Sequence, residues 1–182
     1  MFVEVAGFGA LMSQIDPEEA MTFLNEVFYK FDGLLNNVDV YKVETIKESY
    51  LVASGVPRRN QNRHVYEVCG LAVSMMTAYL KTFAMRYNGS TTLRAGIHSG
   101  AAAAGVVGLK APRYCLFGDT INTASRMMST GEDGKIHISH NVADQLKNHS
   151  KFLIEPRGFI EVKGKGILQT YWLIFLPKTS AK

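Results

Sequence analysis

The strongest constraint on this chain is a hairpin set between two long amphipathic helices. Over Val38–Gly55, Val40, Lys42 and Glu44 alternate with Tyr41 and Val43, and Tyr50–Ala53 returns to β-branched and aromatic residues. The segment therefore reads as two strands joined by a tight, charged turn. Upstream, Asp16-Pro17-Glu18-Glu19 opens a helix with a capping aspartate, a proline at the first helical position and acids in the first turn. Ala20, Phe23, Leu24, Val27, Phe28, Phe31, Leu34 and Leu35 then recur at helical spacing until Asn36-Asn37. Downstream, a second helix is expected from about Val65 to Tyr87, closed by Asn88-Gly89. Strands at Phe2–Ala6 and Leu93–His98 complete the order strand, helix, hairpin, helix, strand. That order predicts an α+β fold, a sheet with helices on one face.

The remaining elements are shorter. Strands are expected at Ala101–Val107, Tyr114–Phe117, Lys135–Ser139, Phe152–Glu155, Phe159–Val162 and Tyr171–Phe175, and helices at about Ile121–Met128 and Val142–Lys147. Gly7-Phe8-Gly9 reads as a turn able to bring backbone amides close to a ligand. With 182 residues, 47% of them hydrophobic and 20% charged, the chain can bury one real core, and 1–182 is expected to form a single domain. The net charge of +4 is spread along the sequence apart from the Pro57–His64 loop, and no basic helix or aromatic-basic platform is present, which argues against nucleic-acid binding. No run approaches the roughly 20 apolar residues that span a bilayer, and no signal peptide is visible, so no membrane contact by this domain is expected. Cys69 and Cys115 do not form a disulfide framework, and Cys69 falls in an apolar helical run that suits the core. A reducing, cytoplasmic setting follows, and Met1-Phe2 beginning directly in a strand suggests a domain excised from a longer protein.

Five segments in order resemble the class III nucleotidyl cyclases, guanylyl type, from Phe2 to about Phe175. They are Tyr41-Lys42-Val43-Glu44-Thr45-Ile46; Pro57-Arg58-Arg59-Asn60 with Asn62-Arg63-His64; Leu93–Gly100 with Gly105–Leu109; Pro112–Arg126; and Val162-Lys163-Gly164-Lys165-Gly166. The Arg/Asn loop is similar to that of the membrane-linked guanylyl cyclases, so the resemblance implies a cytoplasmic domain of a membrane-anchored protein. It also implies a ferredoxin-like βαββαβ core with extra C-terminal α/β elements, and a site formed between two chains. The reaction implied is attack of the ribose 3′-oxygen of GTP on its α-phosphorus, giving cyclic GMP and pyrophosphate. Such chemistry rests on positioning and charge stabilisation.

Residue by residue, the resemblance assigns base reading to Glu44 and Cys115, with Leu116 beside them. A carboxylate accepts from the two N–H donors on the guanine edge, and a thiol is a weak donor suited to a carbonyl oxygen. Adenylyl cyclases resemble one another in having lysine and aspartate at these positions, so the Glu44/Cys115 pair points to GTP. Asn122 is expected to orient the ribose and Arg126, four residues on and on the same helical face, to hold the α-phosphate. Lys163 matches the lysine that reaches the terminal phosphates from a mobile loop. Arg94 matches a phosphate-contacting arginine on the opposite, metal-bearing side of the dimer.

The metal positions depart from the family. Where the family holds two Mg²⁺ or Mn²⁺ ions with aspartates, this chain has Glu4 and Glu48, and Lys47 replaces the glycine that precedes the second. Glutamate keeps a hard oxygen but adds a methylene, while Mg²⁺ demands near-ideal geometry at about 2.0–2.1 Å. Three readings stand. The chain is the base-reading half of a heterodimer whose partner holds most of the metals; or it is a non-catalytic regulatory domain that dimerises; or it is a homodimer running on Mn²⁺ through its glutamates.

Overall fold

The computed structural model describes residues 1–110 and 112–174. β1 (Phe2–Ala6) leads through the short α1 (Phe8–Met12) into α2 (Pro17–Leu35), then into β2 (Tyr41–Ile46) and β3 (Ser49–Ala53). α3 (His64–Thr82) returns the chain to β4 (Thr92–Ile97). The strands lie in the order β2-β3-β1-β4 with every neighbour antiparallel, which is the βαββαβ core expected from the sequence. β7 (Ile136–Ser139) joins β4 in parallel, and β9 (Gly166–Ile174) and β8 (Leu153–Val162) extend the sheet to seven strands. β5 (Ala103–Val107) and β6 (Arg113–Phe117) form a separate two-stranded hairpin, and α4 (Asp119–Ser129) and α5 (His140–Leu146) follow β6 and β7.

Strand alternation divides the core between two faces. Val3, Val5, Tyr50, Val52, Ala95 and Ile97 pack with Phe23, Val27 and Phe31 of α2, Leu71 and Met75 of α3, and Val142 and Leu146 of α5. Phe2 and Leu51 point the other way, onto Ala124 and Met128 of α4. Gly96 makes that second contact possible: a Cβ there would lie 1.9 Å from the Met128 backbone nitrogen. Helices α2, α3 and α5 therefore share one face as expected, and α4 lies on the other.

Local chemistry explains most boundaries. Asp16 Oδ1 accepts from the Glu18 N–H at 2.8 Å and caps α2. α3 stops at Thr82, earlier than the spacing suggests, because Tyr87 and Asn88 take left-handed conformations. Tyr87 then turns back to α2, its ring edge-on to Phe23 at 5.4 Å and its hydroxyl donating to Glu19 at 2.9 Å. The two strands expected at 152–155 and 159–162 are one strand, β8, interrupted by a bulge between Pro156 and Gly158. β9 begins at Gly166, well before the expected Tyr171, and Phe175 lies outside the described residues. Gly7 does make a close backbone approach, but to the chain itself: a Cβ on Gly7 would sit 2.3 Å from the Ser90 carbonyl oxygen. Among the described residues no helix is long and apolar enough to cross a membrane.

Candidate active site

A β-bulge sets the direction of Glu44. Lys42 opposes Val52 and Glu44 opposes Leu51, leaving Val43 as an extra residue in β2. Val52 belongs to the α2/α3 side of the core, and Lys42 accordingly reaches Asp32 of α2 at 2.6 Å. Leu51 belongs to the α4 side, so the bulge turns Glu44 to that face, where Val43 also packs. Without the extra residue Glu44 would share the face of Lys42. The Glu44 side chain is exposed.

Cys115 and Leu116 sit on β6, opposite Gly105 and Ala104 of β5. β6 meets β2 through Tyr41 and Tyr114, whose rings pack edge-to-face with centroids 5.3 Å apart. The two expected base-reading residues thus occupy neighbouring strands of different sheets. Leu116 faces a cavity of about 860 Å³ that is also bounded by Leu51, Tyr114, Thr120, Ile121 and Ala124.

α4 buries Thr123, Ala124, Met127 and Met128 and leaves Asn122 exposed and Arg126 half-buried. The Asn122 and Arg126 side chains make no hydrogen bond among the described residues, so both are available to a ligand. Lys163 is exposed in the β8–β9 connection. Its neighbour Lys165 reaches back to α4, forming an ion pair with Asp119 that holds the Asp119 carboxyl below its ordinary range. The hairpin that carries Lys163 is thereby tied to the start of the helix that carries Asn122.

The metal half is built differently. Glu4 lies in β1 directly opposite Arg94 of β4, and Arg94 Nη2 donates to Glu4 Oε1 at 2.8 Å. These side chains are only 15% and 27% exposed, so solvent screens the pair less than it would a surface bridge. Asp133 stands 3.8 Å from the other guanidinium nitrogen. Glu48 lies in the β2–β3 turn, whose Glu48 carbonyl accepts from the Val5 N–H at 3.1 Å, so the turn is fastened to the end of β1. Lys47, beside it, holds φ 53°, the left-handed conformation for which glycine is suited. Among the described residues no three His, Cys, Asp or Glu side chains converge as metal ligands. A carboxylate already satisfied by a guanidinium, with a lysine next to its companion, does not fit a pair of divalent cations held by this chain alone.

Sequence reasoning had no means of finding the Tyr41–Tyr114 contact, the Lys165–Asp119 pair or the third member of the Arg94 cluster, Asp133. Each depends on which elements meet in space. The motif order that revealed Glu44, Cys115, Asn122 and Arg126 is silent on them.

Residues 1–175 match the family described as adenylate and guanylate cyclase catalytic domain. The chain belongs to that family. The cyclase domain is 47% identical over 175 residues to the human atrial natriuretic peptide receptor 2, covering 95% of this chain and 17% of the receptor. It therefore spans about a sixth of the length of the curated relatives it matches. Among solved structures, the guanylate cyclase domain of RhGC from Catenaria anguillulae, in complex with GTP, is 37% identical with a TM-score of 0.86, covering 96% of this chain and 93% of that one. A non-canonical dimeric guanylyl cyclase domain of the RhoGC fusion protein from Blastocladiella emersonii is 36% identical with a TM-score of 0.83, over 96% and 93%. The α+β architecture of the cyclase domain is that of these neighbours.

Proposed function

We propose that this cyclase domain forms cyclic GMP from GTP as the base-reading half of a heterodimer, within a longer, membrane-anchored protein whose cyclase part faces the cytoplasm. The observation that carries this reading is an asymmetry within one chain. Glu4 is satisfied by Arg94 at 2.8 Å, whereas on α4 the Asn122 and Arg126 side chains make no hydrogen bond or ion pair among the described residues. The likeness to a GTP-bound cyclase domain, to a dimeric one and to a receptor supports the substrate, the pairing and the membrane-linked setting.

In the proposed site the Glu44 carboxylate accepts the ring N–H and amino N–H of guanine, and the Cys115 thiol donates to the carbonyl oxygen beside them. Asn122 orients the ribose. Arg126 holds the α-phosphate while negative charge builds on it, and Lys163 takes the terminal phosphates. The 3′-oxygen forms its bond to the α-phosphorus as the bond to pyrophosphate breaks, and the 3′-hydroxyl proton leaves to solvent. Divalent Mg²⁺ or Mn²⁺, held mainly by a partner chain, would supply neutralisation of the triphosphate charge and Lewis-acid assistance at the 3′-oxygen. Aspartates of the partner chain supply most of the ligands, with Glu4 and Glu48 of this chain contributing little. Arg94 is engaged by Glu4 and Asp133, so the second, metal-bearing role of this chain is closed.

The test assays the chain alone and paired. Alone, with GTP and either Mg²⁺ or Mn²⁺, it should turn over weakly; vigorous activity alone overturns the heterodimer. Pairing with a cyclase chain that keeps both metal aspartates but lacks the arginine equivalent to Arg126 should restore cyclic GMP formation. Within that pair, Asn122→Ala or Arg126→Ala should lower kcat about 100-fold or more. Unchanged output would instead favour the non-catalytic regulatory reading.

A further inference from the structure

Glu44 and Cys115 must be held a fixed distance apart to read one base edge, yet no shared backbone ladder connects them. Among the described residues β2 is the edge strand of the seven-stranded sheet, and β6 pairs with β5 alone in a separate hairpin. We propose that the edge-to-face contact between Tyr41 and Tyr114 is the spacer that sets this distance, and so acts as a positioning element for nucleotide choice. The inference rests on the base-reading role given above to Glu44 and Cys115.

The geometry suits the task. The ring centroids are 5.3 Å apart with planes at 75°, within the preferred range for an aromatic pair. Tyr114 immediately precedes Cys115, so any displacement of the Tyr114 backbone is passed directly to the thiol. On the other side, Tyr41 and Glu44 face the same way because of the Val43 bulge, since Tyr41 opposes Ala53 and Glu44 opposes Leu51, two residues apart on β3. The tyrosine that meets β6 and the carboxylate therefore stand on one face of β2. Tyrosine is stiff, with only two side-chain torsions, and holds a separation better than a longer aliphatic chain. Tyr41 is 37% exposed, so its main role is not to fill the core.

Two measurements test the proposal. In the assembled dimer, Tyr41→Ala and Tyr114→Ala should each lower the GTP-over-ATP ratio of kcat/KM about tenfold, the double variant should lose little more than either single one, and Tyr41→Phe and Tyr114→Phe should retain the parent ratio. Independently of substrate, a Glu44→Cys variant with native Cys115 should be joined by a short bifunctional thiol reagent, Cys69 being buried. Adding Tyr41→Ala should slow that cross-linking several-fold. If folded alanine variants cross-link at the parent rate and keep the parent preference, the spacer is overturned. If Glu44→Lys with Cys115→Asp fails to move preference toward ATP, the base-reading role falls instead, and the cross-linking rate still decides the spacer.

Discussion

Lys47 carries a local conformational penalty that a glycine in its place would not. At φ 53° a lysine carries a strain of about 1 kcal/mol or more, partly offset because it loses less backbone entropy on folding than glycine. Lys47→Gly should therefore raise stability by about 0.5–1 kcal/mol, read as a higher midpoint in urea unfolding. The turn survives the substitution because it is fastened by the Val5 N–H to the Glu48 carbonyl. Glu4 shows the same economy. Its extra methylene carries the carboxylate across the strand pair to Arg94, so the residue that departs from the metal pattern is a well-placed ion-pair partner. The identity of Glu44, Cys115, Asn122 and Arg126 as site candidates was legible in the sequence, because each sits in a long ordered motif. Their orientation was not. Alternation of Val40 to Glu44 looks regular, and only the pairing of β2 with β3 exposes Val43 as the residue that turns Glu44 over.

At the scale of elements, α4 is the piece on which the proposed catalytic residues and the packing meet. It carries Asn122 and Arg126 outward while Ala124 and Met128 rest on β1, β3 and β4. Gly96 permits that seating, since a Cβ would fall 1.9 Å from the Met128 nitrogen and 2.6 Å from the Ala124 carbonyl oxygen, both backbone atoms that cannot swing aside. Gly96→Ala should displace the helix, cost about 2–4 kcal/mol of stability and lower cyclase turnover together with it. Calorimetry and activity on the same preparation check both. α2 was legible end to end because its cap, its period and its terminal asparagines agree. The end of α3 was not, because Tyr87 leaves helical geometry to reach Phe23, a contact set by tertiary packing. β8 was read as two strands because Pro156 and Gly158 punctuate it. In space they flank a bulge whose Arg157 donates to the Thr130 carbonyl at 2.6 Å and stacks over Trp172.

Across the whole molecule, that bulge joins α4, β7, β8 and β9 around one histidine. His137 is fully buried, its Nδ1 donating to the Met127 carbonyl at 2.7 Å and its Nε2 accepting from Arg157 at 3.2 Å, which requires the neutral ring. Burial chiefly, with the Arg157 charge in support, pushes it from 6.5 down to about 4. Between those values the unfolded chain binds the proton and the folded chain does not, so stability falls as pH drops through that window, by about 3 kcal/mol at most from this group. Burial lowers His64 and His98 as well, so the His137 share is the difference between parent and His137→Gln. Urea unfolding at successive pH values from 7 to 4 should show a shallower slope in the variant.

The strand order β2-β3-β1-β4 has a consequence for how the protein is made. β1 lies at the centre of the core, between partners that the ribosome delivers later, and its Glu4 meets Arg94 across 90 residues of chain. At 5–20 residues per second that partner arrives roughly 5–18 s after β1 itself. During that interval Val3 and Val5, both 1% exposed in the finished fold, have no complete sheet to enter. Nascent chains should thus engage holding chaperones until β4 emerges, since the four-stranded core can close only after that strand is delivered.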